Sequence, residues 1–226
     1  MPLSQQEIDT YHKDGLVIPS DYRLPEATLQ RIQQLYEKLI EENKDNPDFS
    51  ADFILGPHLD ASSTYGIKGD SAWLEFIHIE EINDMVEQLI GPDLILWGMT
   101  IFGKPALVGK ATPWHQDGDY YPIEPLETLT VWMSLDGSSS EQGCMQFIPG
   151  SHSEHKIYSH HFEHRADYTL AQVIDDDQVD LDQARDIVLE RGQISLHDVY
   201  LVHGSRANLS PKRRMGLVLR IMPATS

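Results

Sequence analysis

The sequence changes character at Gly91 and Pro92. From there onward it is dominated by short runs of apolar, β-branched and aromatic residues, each bounded by Gly, Pro, Asp or Ser, and such runs predict strands. The predicted strands are 94–102, 126–135, 144–148, 187–202 and 215–222. Because no helical segments alternate with these strands, we expect a jelly roll or barrel with helices outside it, and not a parallel βαβ sheet.

The segment before Pro92 predicts helices. Ser4 and Glu7 have the spacing of a capping box, which starts a helix that ends near Gly15. A strand-like piece at 16–19 follows, and Pro25 can open a second helix. Apolar residues at helical spacing predict a third helix before Gly91, with positions 82, 85, 86 and 89 on one face.

The length of 226 residues suits one sizeable hydrophobic core. We therefore expect a single domain over 1–226, in which N-terminal helices (1–92) pack on a β-core (93–226). A polar stretch at 152–184 interrupts this core and predicts a long excursion over the mouth of the barrel. Its histidines are expected to be solvent-exposed loop residues; they are His152, His155, His160, His161 and His164.

The chain is strongly acidic, with 17 Lys plus Arg against 36 Asp plus Glu and a formal net charge of −19. Such a charge repels phosphodiester backbones and anionic lipids, so neither nucleic acid nor a membrane surface is an expected partner. The first residues lack the pattern of a secretory leader, and no apolar run approaches the roughly 18 residues of a membrane span. We expect a soluble, cytoplasmic protein, with its oligomeric state left open.

The only cysteine is Cys144, which excludes an internal disulfide and any multi-thiolate metal site within one chain. Histidine and carboxylate residues are the remaining candidates for metal ligands. His115 and Asp117 are two residues apart, so on an extended strand both side chains lie on one face. Two imidazoles and one carboxylate on one face of a metal suit Fe(II) and leave three positions open. A lone His-X-Asp tripeptide is more often a surface salt bridge or a capped turn, so a metal site needs further sequence support.

Two histidines compete for the third ligand position. His197 and His203 are six residues apart, so an unbroken strand would place both on one face. The alternation of side chains along a strand therefore does not choose between them.

The ordered motifs of the chain resemble those of the phytanoyl-CoA dioxygenase (PhyH) family. The resemblance covers most of the chain, and its motifs are Gly15 to Pro19, Glu81 to Pro92, Lys104-Pro105, Trp114 to Asp117, Thr130 to Trp132, Gly143 to His152, and His203-Gly204-Ser205 with an Arg eleven residues after the His. It implies a double-stranded β-helix, that is, a cupin-like jelly roll. It also implies Fe(II) as cofactor, 2-oxoglutarate as co-substrate and O₂ as oxidant.

The resemblance assigns roles to individual residues. The histidine before Gly-Ser is the distal iron ligand in this family, which favours His203 over His197. Ser205 and Arg214 would hold the distal carboxylate of 2-oxoglutarate, and an arginine suits that role because its planar guanidinium pairs with a carboxylate through two hydrogen bonds. Arg213 would face the opposite side of the strand. Further positions near the co-substrate are Trp132, Thr100 and Lys68.

The function implied is oxidation of a C–H bond of a small-molecule metabolite, by hydroxylation or otherwise, with release of succinate and CO₂. Halogenating relatives replace the ligand carboxylate, whereas this chain keeps Asp117. Asp119, Tyr120 and Tyr121 either line the substrate side or form an exposed turn. The alternatives are a non-catalytic metabolite-binding module on the same fold and a cupin-type metalloenzyme independent of 2-oxoglutarate.

Overall fold

The computed structural model describes residues 2–60, 66–175 and 177–226. The α-helices are α1 (Gln5–Asp14), α2 (Glu26–Asn43) and α3 (Glu80–Ile90). The strands are β1 (Leu16–Val17), β2 (Phe53–Leu55), β3 (Leu94–Lys104), β4 (Thr112–His115), β5 (Leu129–Ser134), β6 (Met145–Phe147), β7 (His160–Phe162), β8 (Gln172–Ile174), β9 (Arg185–Asp186), β10 (Ile194–Asp198), β11 (His203–Ser205) and β12 (Arg214–Pro223).

Two antiparallel sheets form the β-core. The larger has the order β1-β10-β5-β12-β3-β2, and the smaller has the order β4-β11-β6-β9. A separate hairpin pairs β7 with β8. Two sheets facing one another in this way form the jelly roll that the strand pattern predicted, and they match the double-stranded β-helix that the resemblance implied.

Alternation along β12 assigns each side chain to one of two environments. Met215, Leu217 and Leu219 belong to the main hydrophobic core, whereas Arg214 and Val218 line a cavity between the sheets. The other strands of the large sheet follow the same period of two. One face of the large sheet is therefore core and the other is a site wall.

The helices cover the core face of the large sheet. Leu29, Ile32, Leu35 and Leu39 lie on one face of α2 and pack into the same cluster as the odd-numbered residues of β12. This is the helical period of about 3.6 residues that predicted α2 from sequence. Because β1 and β2 complete the edges of the large sheet, the N-terminal segment also joins the β-core.

The predicted helix ends are close to the observed ones. Ser4 caps α1 in a complete capping box, and Gly15 ends the helix with a left-handed φ of 81°. Two strand predictions were too long, because Leu126 to Leu135 contains only β5 and Ile187 to Val202 contains only β10.

The expectation for 152–184 needs correction. The segment contains the β7–β8 hairpin, and Ile174 of that hairpin packs with Ile148 and Val202. His152 is 5% exposed, and the side chain of His160 is 3% exposed, so the prediction of solvated histidines was wrong for these two. Local polarity misled the prediction because both rings are buried through long-range hydrogen bonds to the backbone.

No helix within the described ranges is both long enough and apolar enough to cross a membrane.

Gly216 on β12 offers a test of how tightly the cavity wall is packed. A Cβ at this position would overlap the Trp132 ring, whereas a Cβ at Gly98 on β3 meets nothing within 4 Å. We expect Gly216→Ala to lower the free energy of unfolding by about 1–3 kcal/mol through overpacking, measured by urea unfolding. Gly98→Ala carries the same change in backbone freedom and serves as the control. Equal stabilities of the two variants would contradict the observed packing.

Candidate metal and co-substrate site

The pairing of β4 with β11 sets His115 directly opposite His203. Their ring centroids are 4.3 Å apart, and both side chains are buried. The Asp117 carboxylate completes the group: its Oδ1 lies 3.6 Å from His115 Nε2 and 3.9 Å from His203 Nε2. One ligand atom from each of the three residues lies within 4.8 Å of the others. Among the described residues, this is the His, Cys, Asp and Glu cluster that could hold a metal ion.

Backbone carbonyl groups fix both imidazoles in the tautomer that a metal requires. His115 Nδ1 lies 2.8 Å from the Pro113 carbonyl oxygen, and His203 Nδ1 lies 2.9 Å from that of Leu201. Since a carbonyl oxygen only accepts, each Nδ1 must carry the proton, and each Nε2 presents a lone pair toward Asp117. Burial and the neighbouring rings of His115 and His197 also lower the pKa of His203 well below its usual value, which keeps this ring neutral.

The expectation that His115 and Asp117 share a strand was wrong in detail. Strand β4 ends at His115, and Asp117 begins a short 3₁₀ turn that runs to Tyr120. Gln116 between them keeps an extended backbone, with φ −117° and ψ 133°. That single extended residue is sufficient to bring the two side chains to the same side.

Gln116 itself points away from the metal ligands and is fully buried. Its side-chain amide donates to the carbonyl oxygens of Lys156 and Tyr200, at 2.9 and 2.7 Å. Its side-chain oxygen accepts from the backbone N–H of Tyr158, and its own N–H donates to His160 Nε2. The residue between the two ligands therefore ties the 152–184 segment to the site.

The second carboxylate oxygen of Asp117 faces three other side chains. Thr130 donates its hydroxyl to Oδ2 at 2.9 Å, while His197 Nε2 and Arg220 Nε each lie 3.8 Å away. Burial opposes ionisation of this carboxyl group, but the charge of the nearby Arg220 guanidinium favours it, and the pKa of Asp117 lies well below its usual value. Asp117 is therefore anionic, and its Oδ1 atom faces the two imidazole nitrogens of the candidate metal cluster.

The structure also separates the two competing histidines. His203 belongs to the ligand cluster, whereas His197 on β10 lies beside the Oδ2 atom of Asp117 and outside that cluster. His197 is 1% exposed, and neither ring nitrogen has a hydrogen-bond partner among the described residues. Its position next to the cluster, without a backbone bond to set its tautomer, distinguishes it from the two candidate ligands.

Arg214 lies at the other end of the cavity. It is 3% exposed, donates from Nη1 to the Gly143 carbonyl oxygen at 2.8 Å, and lies 5.3 Å from the Trp132 ring centroid. Ser205 lines the same cavity. Arg213 faces outward and pairs with Asp136, as strand parity predicted.

Lys104, opposite Arg214 in the β3–β12 ladder, is a second cationic residue buried at this end. Its Nζ donates to the Arg206 carbonyl oxygen. Burial, together with the nearby Arg214 charge, lowers the pKa of Lys104 to about 6, so the amine is largely neutral at pH 7.

Three of the remaining predicted residues do not line the cavity. Thr100 is buried on β3 and accepts from Arg220 Nη1 at 2.7 Å, but it is not part of the cavity lining. Lys68 has an exposed side chain, and its backbone pairs with Asn43, so the structure does not bring it to the site. Asp119 binds Gln172 of β8 and does not line the cavity.

The two tyrosines after Asp119 lie on different sides of the turn. Tyr120 packs its ring edge-on against His115 at 5.9 Å and is partly exposed. The Tyr121 ring packs against Trp97, and its hydroxyl is buried with no hydrogen-bond partner among the described residues. The Tyr121 side chain also lies close enough to Arg220 to contribute to raising the pKa of that guanidinium.

Sequence reasoning missed Arg220 and Thr130 as site residues. Both could have been found by parity: Arg220 is six residues after Arg214, and Thr130 is two residues before Trp132, so each shares a strand face with a residue already assigned. Gln116 gave no comparable signal, because its partners are more than 39 residues distant in sequence.

The cavity that joins these residues is small, with an internal volume of about 40 Å³. Strands of both sheets contribute to it, and its lining residues are Phe102, Thr112, His115, Asp117, Thr130, Trp132, Met145, His197, His203, Gly204, Ser205, Arg214, Val218 and Arg220.

Thr130 provides a test of how the ligand carboxylate is held. Thr130→Val keeps the shape of the side chain but removes the hydroxyl that donates to Asp117 Oδ2. We expect metal affinity to fall about 10- to 100-fold, measured by anaerobic Fe(II) or Co(II) titration. Thr128→Val is the matched control, because the buried Thr128 hydroxyl has no partner to lose among the described residues. Unchanged affinity in the Thr130 variant would argue against a role for this hydrogen bond.

Lys104 predicts a pH dependence of stability. An unfolded lysine keeps its proton up to about pH 10.4, whereas the folded state releases it above a pKa of about 6. The free energy of unfolding should therefore rise with pH between these values, by about 1.4 kcal/mol per unit. Lys104→Met should remove this rise and be the more stable protein near pH 7, measured by urea unfolding from pH 6.5 to 9. The exposed Lys212→Met is the control, and a Lys104 variant that kept the wild-type slope would refute the prediction.

Comparison with known proteins places this site in a family. A sequence model described as phytanoyl-CoA dioxygenase (PhyH) matches residues 11–216. A phytanoyl-CoA dioxygenase domain-containing protein 1 homolog of Caenorhabditis briggsae is 30% identical over 133 residues, which cover 57% of this chain and 46% of that protein. A probable alpha-ketoglutarate-dependent hypophosphite dioxygenase of Stutzerimonas stutzeri is 30% identical over 145 residues, which cover 63% of this chain and 50% of that protein.

A solved structure shows the same fold. EctD from S. alaskensis, crystallised with 2-oxoglutarate and 5-hydroxyectoine, superposes with a TM-score of 0.76 at 17% identity and covers 99% of this chain and 77% of EctD. The matched regions of the two sequence relatives are only about half of each relative's length. The family match itself spans most of the present sequence, and with the observed fold it leads to one conclusion: the chain belongs to the phytanoyl-CoA dioxygenase family.

Proposed function

We propose that this protein is an Fe(II)- and 2-oxoglutarate-dependent dioxygenase that oxidises a C–H bond of a small-molecule metabolite and releases succinate and CO₂. Its iron ligands would be His115, Asp117 and His203. When bound, iron(II) and 2-oxoglutarate together would supply the activation of O₂ that such an oxidation requires. A cytoplasmic location belongs to the same proposal.

The donor set fits Fe(II). Two neutral imidazole nitrogens and one carboxylate oxygen on one side of a metal, with the other positions open, are the ligands of non-haem Fe(II) oxygenases. Here the imidazole tautomers are fixed by backbone carbonyl groups, and the carboxylate remains ionised although it is buried.

The observation that carries the co-substrate assignment is the unneutralised charge of Arg214. This guanidinium is buried, its Nε has no hydrogen-bond partner, and none of the described carboxylates forms an ion pair with it. A buried unpaired charge is costly, so a carboxylate is the natural occupant of this end of the cavity. Arg214 would bind the distal carboxylate of 2-oxoglutarate through two parallel hydrogen bonds, with the Ser205 hydroxyl fixing its orientation.

The protein's remaining tasks are positioning and exclusion of water. Trp132 lies against the Arg214 guanidinium and forms the side of the co-substrate channel. Because Lys104 is largely neutral at pH 7, it adds little further charge beside Arg214. The cavity volume favours a compact substrate over one that must enter whole with a coenzyme A moiety. The relative named as a hypophosphite dioxygenase supports both 2-oxoglutarate use and a small substrate.

Anaerobic absorption spectroscopy tests the proposal directly. Fe(II) and 2-oxoglutarate added together should give a charge-transfer band in the wild-type protein. Asp117→Ala should lose both iron binding and the band, while circular dichroism stays unchanged. Arg214→Met should keep iron but need at least about tenfold more 2-oxoglutarate, because a charged hydrogen-bonded partner is lost.

Arg213→Met is the control for removal of a neighbouring charge, because Arg213 pairs with Asp136 outside the cavity. A wild-type protein that binds iron but gives no band would favour a cupin-type metalloenzyme independent of 2-oxoglutarate. A protein that binds both without consuming O₂, across a broad panel of metabolites, would favour a non-catalytic binding module.

A further inference from the structure

One wall of the cavity carries polar atoms that neither the metal site nor the co-substrate clamp uses. Arg220 Nε and both ring nitrogens of His197 have no hydrogen-bond partner among the described residues. Both residues line the cavity, and both side chains are almost fully buried, with 12% and 2% of their surface exposed. Buried polar groups in native proteins are rarely left unpaired, so these atoms indicate a ligand.

Arg220 lies at the metal end of the cavity. It is opposite Thr130 in the β12–β5 ladder, and Thr130 binds Asp117. A strand rises about 3.3 Å per residue, so the Cα atoms of Arg220 and Arg214 are about 20 Å apart. The two arginines therefore cannot share one carboxylate, and Arg220 is not part of the Arg214 clamp.

Pairing with Asp117 does not account for Arg220. The distance from Arg220 Nε to Asp117 Oδ2 is 3.8 Å, which is beyond a hydrogen bond, and Thr130 already donates to that oxygen at 2.9 Å. Other contacts hold the guanidinium in place: Nη1 donates to Thr100 at 2.7 Å, and the Phe102 ring centroid lies 5.9 Å away. Arg220 is thus held firmly with its Nε–H edge unused.

The charge balance of a cavity that holds iron and 2-oxoglutarate also indicates an anionic ligand at Arg220. Iron(II) would bring two positive charges, and Arg214 and Arg220 add one each. Asp117 and dianionic 2-oxoglutarate supply three negative charges, so a single positive charge is left over. An uncompensated charge in a buried site is unfavourable, and one negative charge on the substrate would neutralise it.

We propose that Arg220 and His197 form a subsite for an anionic group of the substrate, namely a carboxylate or a comparably small oxyanion such as a phosphonate. This inference rests on the proposed function and narrows its substrate class. Arg220 supplies the charge and a fixed N–H donor, and His197 supplies a second hydrogen bond. The Tyr121 side chain lies beside the Arg220 guanidinium and helps to raise its pKa, which favours the charged form of Arg220.

The test uses the wild-type protein saturated with Fe(II) and 2-oxoglutarate under anaerobic conditions. Matched pairs of small probes are titrated in: acetate with acetamide, propionate with propionamide, and methylphosphonate. Binding is followed by calorimetry and by the shift of the charge-transfer band, whose persistence shows that the probe has not displaced 2-oxoglutarate. We expect each anion to bind at least about tenfold more tightly than its neutral counterpart.

Variants assign the preference to the subsite. Arg220→Met should abolish the preference for anions, Arg220→Lys should retain part of it, and His197→Phe should weaken anion binding while leaving the charge in place. Arg213→Met removes an outward-facing charge and should behave as the wild type. Iron content is measured for each variant.

Three results would overturn the inference. One is equal binding of anions and amides to the wild type, and a second is an undiminished anion preference in Arg220→Met. The third is loss of iron in both Arg220→Met and Arg220→Lys, since that would make Arg220 a positioning residue for Asp117. Absence of the charge-transfer band in the wild type would instead refute the proposed function, so the two failures are distinguishable.

Discussion

The pairing of β4 with β11 is the constraint on which the site depends. It places two histidines opposite one another at the junction of the two sheets, and backbone carbonyl oxygens two residues before each ring determine how the rings are protonated. The carboxylate of Asp117 then divides its two oxygens between two surroundings. One faces the imidazole nitrogens, and the other receives a hydroxyl from the large sheet. The candidate ligands therefore come from the small sheet and the turn after β4, while Thr130 of the large sheet holds the carboxylate in place.

The buried polar groups around the cavity lower the stability of the folded state. Arg214, Arg220, Lys104 and His197 are all buried, and several of their polar atoms have no partner within the described residues. Burying such groups disfavours the folded state, and the apolar faces of α2 and the large sheet must offset that cost. A concentration of this kind is typical of a binding site, because ligands can satisfy groups that the protein leaves unsatisfied.

The sequence predicted the fold well because the fold depends on local periodicity, and the same periodicity grouped two of the three candidate metal ligands. The capping box at Ser4, the helical face of α2 and the two-residue spacing of His115 and Asp117 are local patterns with one physical interpretation. Parity could not separate His203 from His197, and only the resemblance to a family did so. The structure supports that choice because the carbonyl oxygen of Leu201 binds His203 Nδ1 and leaves Nε2 to face Asp117.

Predictions failed where distant contacts override local polarity. His152 and His160 occur in a polar stretch, yet backbone groups remote in sequence bury both. Lys68 was expected near the co-substrate, but the register of its segment is set by Asn43 on α2. Arg220 was overlooked because its significance comes from a neighbour on another strand, and a single sequence does not reveal which strands adjoin.

Gln116 has a consequence for the dynamics of the protein. It stands between two metal ligands in the chain, while its side chain fastens the backbone at Lys156, Tyr158 and Tyr200. Any event that orders the ligands also favours the closed arrangement of these segments, and loosening of the segments relaxes the ligands in turn. A metal ion bound by His115 and Asp117 would thus be linked thermodynamically to the local unfolding of residues 156–160, and amide hydrogen exchange in that segment would report on the ion.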